Sequence, residues 1–396
     1  MDTPRSIVTH LLARPMPLAE LGAATGVSLP TLRRAVHELV EARWVRIVGR
    51  AEATGGRPAN LFGIDPGRHT LVGVHLEHPG MRLVATDLAG EVLDEHVPQG
   101  VESLEPDAVH TIVLDYLASL RERLPERAWL GLGLASPGFI DPHSGAVIAI
   151  GRVPNWNHLP LAQRLGDASG LPVTIGNDVD AMAAVDFAAN GVPRTYAYVG
   201  FSEGVKFSLF LDGKPYVGPF GNAGLVDPRL LAACGERAEA ADVLTVHGLA
   251  DRYLARTGSA GARRVRAHLD ARGLGAHEDA RERYLAVLDL AESGDPDAAE
   301  LVGWMTEMLG AQIAVFVLLL QPELLVLGGA LAGASDRLLA AIEGVARRSL
   351  PTLLDNNLVV RRARAVAPNA AAVGATRVFL DRFLAAEAPP LSSRGG

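Results

Sequence analysis

A single cysteine, Cys234, stands in the 396 residues. No disulfide can close within such a chain, and no zinc site built from several thiolates can form. Long apolar runs are missing too, and the most continuous one, Ile313–Leu320, is too short to span a bilayer as a helix. The first residues lack the unbroken apolar stretch and small-residue cleavage site of a secretory signal, so a cytoplasmic protein with no membrane partner is expected. Lysine is absent from residues 1–60, where eight arginines stand against five acidic residues. That segment carries +3 within a chain whose net charge is −8. An acidic body does not hold nucleic acid by diffuse charge, so such contact is expected only in the basic N-terminal segment. What the chain does have is length and 48% hydrophobic residues, enough for two or three domains with sizeable cores.

Residues 15–62 read as a winged helix-turn-helix. Pro17 suits the first position of a short helix whose buried side carries Leu18 and Leu21. Gly26 opens a tight turn, and the Ser28 hydroxyl can cap the next helix. In that helix Leu32, Val36, Leu39 and Val40 form one apolar stripe, while Thr31, Arg33, Arg34 and His37 lie on the other face. A recognition helix meets base edges and phosphates with such residues. Ile7, Val8, Leu11 and Leu12, at helical spacing upstream, complete a three-helix core. Trp44–Val48 and Leu61–Ile64 read as paired strands, with ATGGRPA as the wing tip. The adjacent glycines let backbone approach a phosphate, and Arg57 can reach a minor groove, with Arg46 and Arg50 adding phosphate contacts. A small helical hairpin with surface arginines has the same look, but the wing behind it favours DNA.

From Thr70 the pattern turns to strands. Thr70–Leu76, Arg82–Thr86 and Val92–Val97 are followed by a helix over Ala108–Arg123 and a buried strand at Trp129–Ala135. Val173–Ile175 leads into Asn177-Asp178 and a helix over Val179–Ala189. A second cluster holds Thr195–Phe201, Lys206–Leu211 and Lys214–Val217, with Asp212-Gly213 as a hairpin turn. Residues 228–320 are mostly helical, broken near Ser293–Pro296, and Leu324–Leu327 runs into Gly328-Gly329. Two halves of similar order predict a duplicated α/β architecture with a cleft between lobes.

Four stretches resemble the ROK family (repressors, open reading frames and sugar kinases), in its transcription-regulator branch. They are TGGRPANLFGID, GLGLASPGFIDPHSGAV, PNWNHLPLAQRL with PVTIGNDVDAMAAVDF, and PELLVLGGAL. The resemblance spans residues 5–380 and implies an α/β, actin-like (ribonuclease H-like) two-lobed sugar-kinase fold behind an α+β head, assembled as dimers or tetramers. The expected organisation is a winged helix over 1–66, an effector and oligomerisation domain over 67–385 split near residue 190, and a disordered tail over 386–396.

The resemblance also shows what has changed. Asp178 stands where family kinases carry the catalytic aspartate, although Asn177-Asp178 equally suits a helix cap. The family's Asp-x-Gly-Gly-Thr phosphate turn is replaced by His75-Leu76-Glu77-His78-Pro79, which removes an amide and adds negative charge. The second phosphate turn reads Gly200-Phe201-Ser202-Glu203-Gly204. Where family sugar sites carry a glutamate and a histidine, this chain has Ala223-Gly224-Leu225-Val226-Asp227-Pro228. Only Cys234-Gly235 remains of the zinc-binding region, so no metal and no cofactor are expected. Asp227, His247 and Cys234 are too scattered to replace that zinc set. A sugar-like effector is left with Ser136, Gly138, Asn155, Asn177 and Asp178. Asn155 also reads as a plain loop residue and its neighbour Trp156 as a packing residue.

The expectation is a regulator of carbohydrate metabolism, a repressor reading a double-stranded DNA operator as a homodimer or homotetramer, with no catalytic residue beyond a vestigial Asp178. Two other readings stay open. One is a sugar kinase with an added head that uses Asp178 as base, and the other a DNA-binding dimer without a ligand.

Overall fold

The computed structural model describes residues 2–51, 59–77, 80–99, 105–150, 155–188, 193–202, 204–226, 243–273, 280–364 and 366–386. Two compact units divide the chain: Met1–Ala188 with Asn369–Gly396, and Ala189–Pro368.

The first unit begins with α1 (Thr3–Ala13), β1 (Met16–Pro17), α2 (Leu18–Thr25), α3 (Leu29–Glu41), β2 (Val45–Arg50) and β3 (Asn60–Ile64). Asp2 caps α1 by accepting from the Arg5 amide at 3.0 Å. Ile7, Val8, Leu11, Leu21, Leu32, Val36 and Leu39 close a buried core between the three helices, as their spacing predicts. Pro17 differs from expectation. It pairs with Leu61 in β1 and precedes the helix rather than opening it. Its fixed φ suits an edge strand as well as a first helical turn.

Next come β4 (His69–Leu76), β5 (Met81–Asp87), β6 (Val92–His96), α4 (Pro106–Arg123), β7 (Ala128–Ser136), a hairpin of β8 (Phe139–Asp141) and β9 (Ala146–Ala149), α5 (Leu161–Ser169), β10 (Val173–Asn177) and α6 (Asp178–Ala188). The main sheet has the order β10-β7-β4-β5-β6, with β4, β7 and β10 parallel. Central β4 is buried along its whole length, which fits a strand covered on both faces. The last helix, α12 (Ala370–Ala385), returns from the far end of the chain to one face of this sheet. Two glycines permit its close approach. A Cβ on Gly73 would stand 2.0 Å from the Ala372 carbonyl oxygen, and one on Gly133 2.0 Å from that of Ala375.

The second unit has β11 (Thr195–Phe201), β12 (Val205–Leu211), β13 (Lys214–Tyr216), β14 (Leu225–Val226), α7 (Val246–Ala271), α8 (Ala280–Glu292), α9 (Pro296–Leu320), β15 (Leu324–Gly329), α10 (Asp336–Arg348), α11 (Thr352–Asn357) and β16 (Val360–Arg362). Its sheet runs β13-β12-β11-β15-β16, with β14 beside β12. The Asp212-Gly213 turn has φ of 50° and 73°, the positive pair that a tight hairpin needs. The apolar run Ile313–Leu320 does not stand alone but ends α9, a helix of 25 residues long and apolar enough to cross a membrane by length and composition. Leu301, Met305, Leu309, Ile313 and Val317 of that helix are buried in the core of the unit. Both units are α/β.

Candidate functional sites

The two helices of the reading motif meet through Gly26, whose φ of 68° ends α2 in the left-handed region. Ser28 takes the cap position of α3, but its hydroxyl makes no bond to a backbone amide. It pairs with Thr31 Oγ1 at 3.0 Å instead, which corrects the expected cap. Leu32, Ala35, Val36 and Leu39 are buried, whereas Ser28, Thr31, Arg33, Arg34 and His37 are exposed. Arg34 Nε lies 3.9 Å from Glu38, and His37 Nε2 lies 3.4 Å from Glu41. Such exposed pairs hold weakly, so both side chains can turn to another partner. Arg46 is exposed on β2, an edge strand of the head sheet. Arg57 lies outside the described residues.

The head is seated firmly. Only residues 65–68 separate β3 from β4. Asp65 accepts from the Gly67 amide at 2.8 Å and from Arg43 Nε at 3.4 Å. Trp44 is fully buried, with its ring 4.2 Å from His69 and stacked 6.2 Å from Phe383 of α12. Arg5, also buried, donates to the Ala386 carbonyl at 2.8 Å and lies 5.7 Å from the Phe383 ring centre. Leu71, Leu130, Phe379, Leu380 and Leu384 continue the same apolar cluster. The seam carries no sequence signal beyond ordinary apolar patterning, and the reading of the sequence missed it.

Burial pushes the His69 imidazole from 6.5 down to about 4, against the bond between Nε2 and the Ala42 carbonyl. A histidine held below its unfolded value contributes stability that is complete above pH 6.5 and is lost as pH falls toward 4. Between pH 7 and pH 4 the wild type should therefore lose about 3 kcal/mol more than His69→Asn, which cannot take a proton. Urea midpoints at the two pH values check this, and equal losses in both proteins would remove His69 from the account.

A second group of residues sits at the carboxyl ends of β4, β7 and β10. Register pairs Asn177 with Ser136 and Ala135 with His75, so adjacent parallel strands deliver their last side chains to one edge. Asn177 Oδ1 and Asp178 Oδ1 both accept from the Val179 amide at 2.9 Å, so the pair does cap α6. Asn177 Nδ2 donates to the Gly138 carbonyl at 3.3 Å, and the fully buried Ser136 hydroxyl donates to the Pro137 carbonyl at 3.0 Å. Asp178 keeps its second oxygen 3.9 Å from His75 Nε2. Ser136, Gly138, Asn177 and Asp178 are thus brought together, with His75 as an addition that the sequence offered only as a broken phosphate turn. Asn155 is exposed, and its amide donates to Glu105 at 3.2 Å. Trp156 is a core residue.

In the second unit, the Gly328-Gly329 turn is filled from within. A Cβ on Gly328 would stand 2.1 Å from the Tyr198 hydroxyl, which accepts the Gly329 amide at 3.1 Å. Phe201 is fully buried, and Leu225 pairs in register with Lys206. Glu203, Asp227 and Cys234 lie outside the described residues. Among the described residues no three histidine, cysteine or acidic side chains are grouped to hold a metal.

Comparison with known proteins fits this division. Residues 72–382 match the ROK family model, and residues 11–48 match the IclR helix-turn-helix domain. The transcriptional regulator Rv0485 of Mycobacterium tuberculosis is 28% identical over 330 residues, covering 78% of this chain and 70% of that protein. The DNA-binding transcriptional dual regulator NagC of Escherichia coli is 22% identical over 363 residues, covering 88% and 85%. The crystal structure of a ROK family transcriptional regulator, a homologue of the E. coli MLC protein, superposes over 100% of both chains with a TM-score of 0.75 at 20% identity. A ROK family glucokinase from Streptomyces griseus, in complex with glucose and AMPPNP, covers 78% of this chain and 98% of its own with a TM-score of 0.61, also at 20% identity.

Proposed function

The chain belongs to the ROK family, and from that premise we propose that it is a DNA-binding transcriptional regulator of the repressor type whose ROK part has no kinase activity. The observation that carries the reading is the helix-turn-helix match over residues 11–48, with the exposed Thr31, Arg33, Arg34 and His37 along α3. Relatives named as regulators span most of the chain and support it. In this reading α3 enters the major groove, with Ser28 at its start, and Arg46 and Arg57 contact the backbone from the wing. Two heads are needed to read a two-fold operator, so the regulator works as a homodimer or homotetramer, in the cytoplasm.

Loss of kinase activity rests on two features. Tyr198 takes the Gly329 amide that a nucleotide could otherwise use. His75 and Glu77 stand where the family places its first phosphate turn, and neither helps to hold a triphosphate. Asp178 is then a ligand residue rather than a base. With Ser136, Gly138, Asn155 and Asn177 it forms the site of a sugar-like effector, which shifts the population of DNA-binding states by its differential affinity for them.

Genome-wide mapping of bound DNA tests the whole reading. The expected result is a small set of sites sharing one two-fold motif, and uniform, salt-sensitive coverage would count against a sequence-reading repressor. Sugar-dependent ATP hydrolysis that disappears in Asp178→Asn would replace the regulator reading with that of a kinase.

A further inference from the structure

The edge of the sheet in the first unit holds a side chain that neither the DNA-reading face nor the helix caps employ. His75 is nine-tenths buried, and its Nδ1 has no hydrogen-bond partner. That nitrogen lies 3.8 Å from Glu77 Oε2, and Nε2 lies 3.9 Å from Asp178 Oδ2. Both gaps exceed hydrogen-bond length, so two carboxylates bracket the ring without bonding to it. Buried polar atoms normally find partners, and one left alone beside a carboxylate is a place prepared for another molecule.

Charge and geometry together narrow what can fill it. Arg82 is the nearby cation, and it is shared between Glu77 at 3.7 Å and Glu95 at 2.6 Å. Asp178 has no arginine or lysine within ion-pair distance among the described residues, so the local balance is acidic. A hydroxyl both donates and accepts, and an oxygen about 2.8 Å from each side can bridge the gap between the imidazole and Asp178. A phosphate offers acceptors and negative charge to a carboxylate that is itself an acceptor, and it is repelled.

We infer that His75 is a specificity-determining residue of the effector site and that the effector is an uncharged, unphosphorylated sugar or polyol. Its hydroxyl bridges His75 and Asp178, while Glu77 and Asp178 exclude the phosphorylated form. This inference rests on the effector reading proposed above, and the test separates the two.

Full-length protein is titrated calorimetrically with matched pairs: glucose and glucose 6-phosphate, N-acetylglucosamine and its 6-phosphate, xylose and xylose 5-phosphate. At least one parent sugar should bind, and about tenfold or more tighter than its phosphate. His75→Ala should weaken that parent by about tenfold, with His75→Gln recovering part of the loss by restoring a donor and an acceptor. A phosphorylated member binding as tightly as its parent overturns the selectivity for uncharged ligands. Unchanged affinity in His75→Ala overturns the role of the residue. If no member of any pair binds, the effector reading fails and this inference falls with it. Should His75→Ala not fold, the paired titration of the wild type still decides.

Discussion

A Phe383→Ala protein should unfold about 3–5 kcal/mol more easily than the wild type. It should also lose most of its affinity for a mapped operator, although the Phe383 ring is buried. That ring stacks on Trp44 and Phe379 and lies under the Arg5 guanidinium, so it closes the core shared by the head and α12. Removing it leaves a cavity where the reading motif is seated, and α3 loses its fixed bearing on the rest of the unit. Affinity follows because a head free to rotate must be ordered again when it binds, and that ordering opposes binding. Leu353→Ala is the matched control, since this exposed leucine of the second unit should change stability by less than about 0.5 kcal/mol. Urea unfolding and fluorescence anisotropy on the same preparations give both quantities. Full operator affinity in a destabilised but folded Phe383→Ala protein would mean that the head works without α12.

The second large effect belongs to α3. Arg34→Ala should lower affinity for the operator by about tenfold to a hundredfold, and affinity for unrelated DNA by far less, if its guanidinium reads a base edge. Its side chain is 76% exposed and only loosely tethered to Glu38, so it is available for that contact. Arg57→Ala should instead weaken binding to every sequence alike and reduce the salt slope by about one, as the loss of one phosphate contact does. Anisotropy titrations at several salt concentrations on specific and random duplexes separate the two patterns. The reverse assignment would exchange the roles of the two arginines.

The regular elements and the head were legible because local chemistry specifies them. Leu32, Val36 and Leu39 mark a buried helix face by spacing alone, and Asp212-Gly213 marks its hairpin by the φ values it requires. Ser28 was half legible. Its place was readable, but the competition of Thr31 for the hydroxyl depends on side-chain rotation. Much of the effector site was readable through Asn177-Asp178, since the residues sit together along the chain. His75 was not, because its meeting with Asp178 depends on β7 lying between β4 and β10. The role of Gly328-Gly329 was hidden for the same reason: Tyr198, far away in sequence, fills the turn. Least readable was the seat of the head, which joins Arg5 to Ala386 across almost the full chain.

That last contact bears on synthesis. The head leaves the ribosome first, yet its core is closed by residues 370–386, which leave late. Until then Trp44 and its neighbours lack the aromatic rings that cover them, and the glycine-lined face of the first sheet has no helix upon it. Pairing of such distant segments makes folding slow and leaves apolar surface open meanwhile. A ribosome that stops early therefore releases a product with an unfinished head, open to proteolysis and poorly fitted to occupy an operator. Competence to bind DNA becomes a report that translation has run through α12.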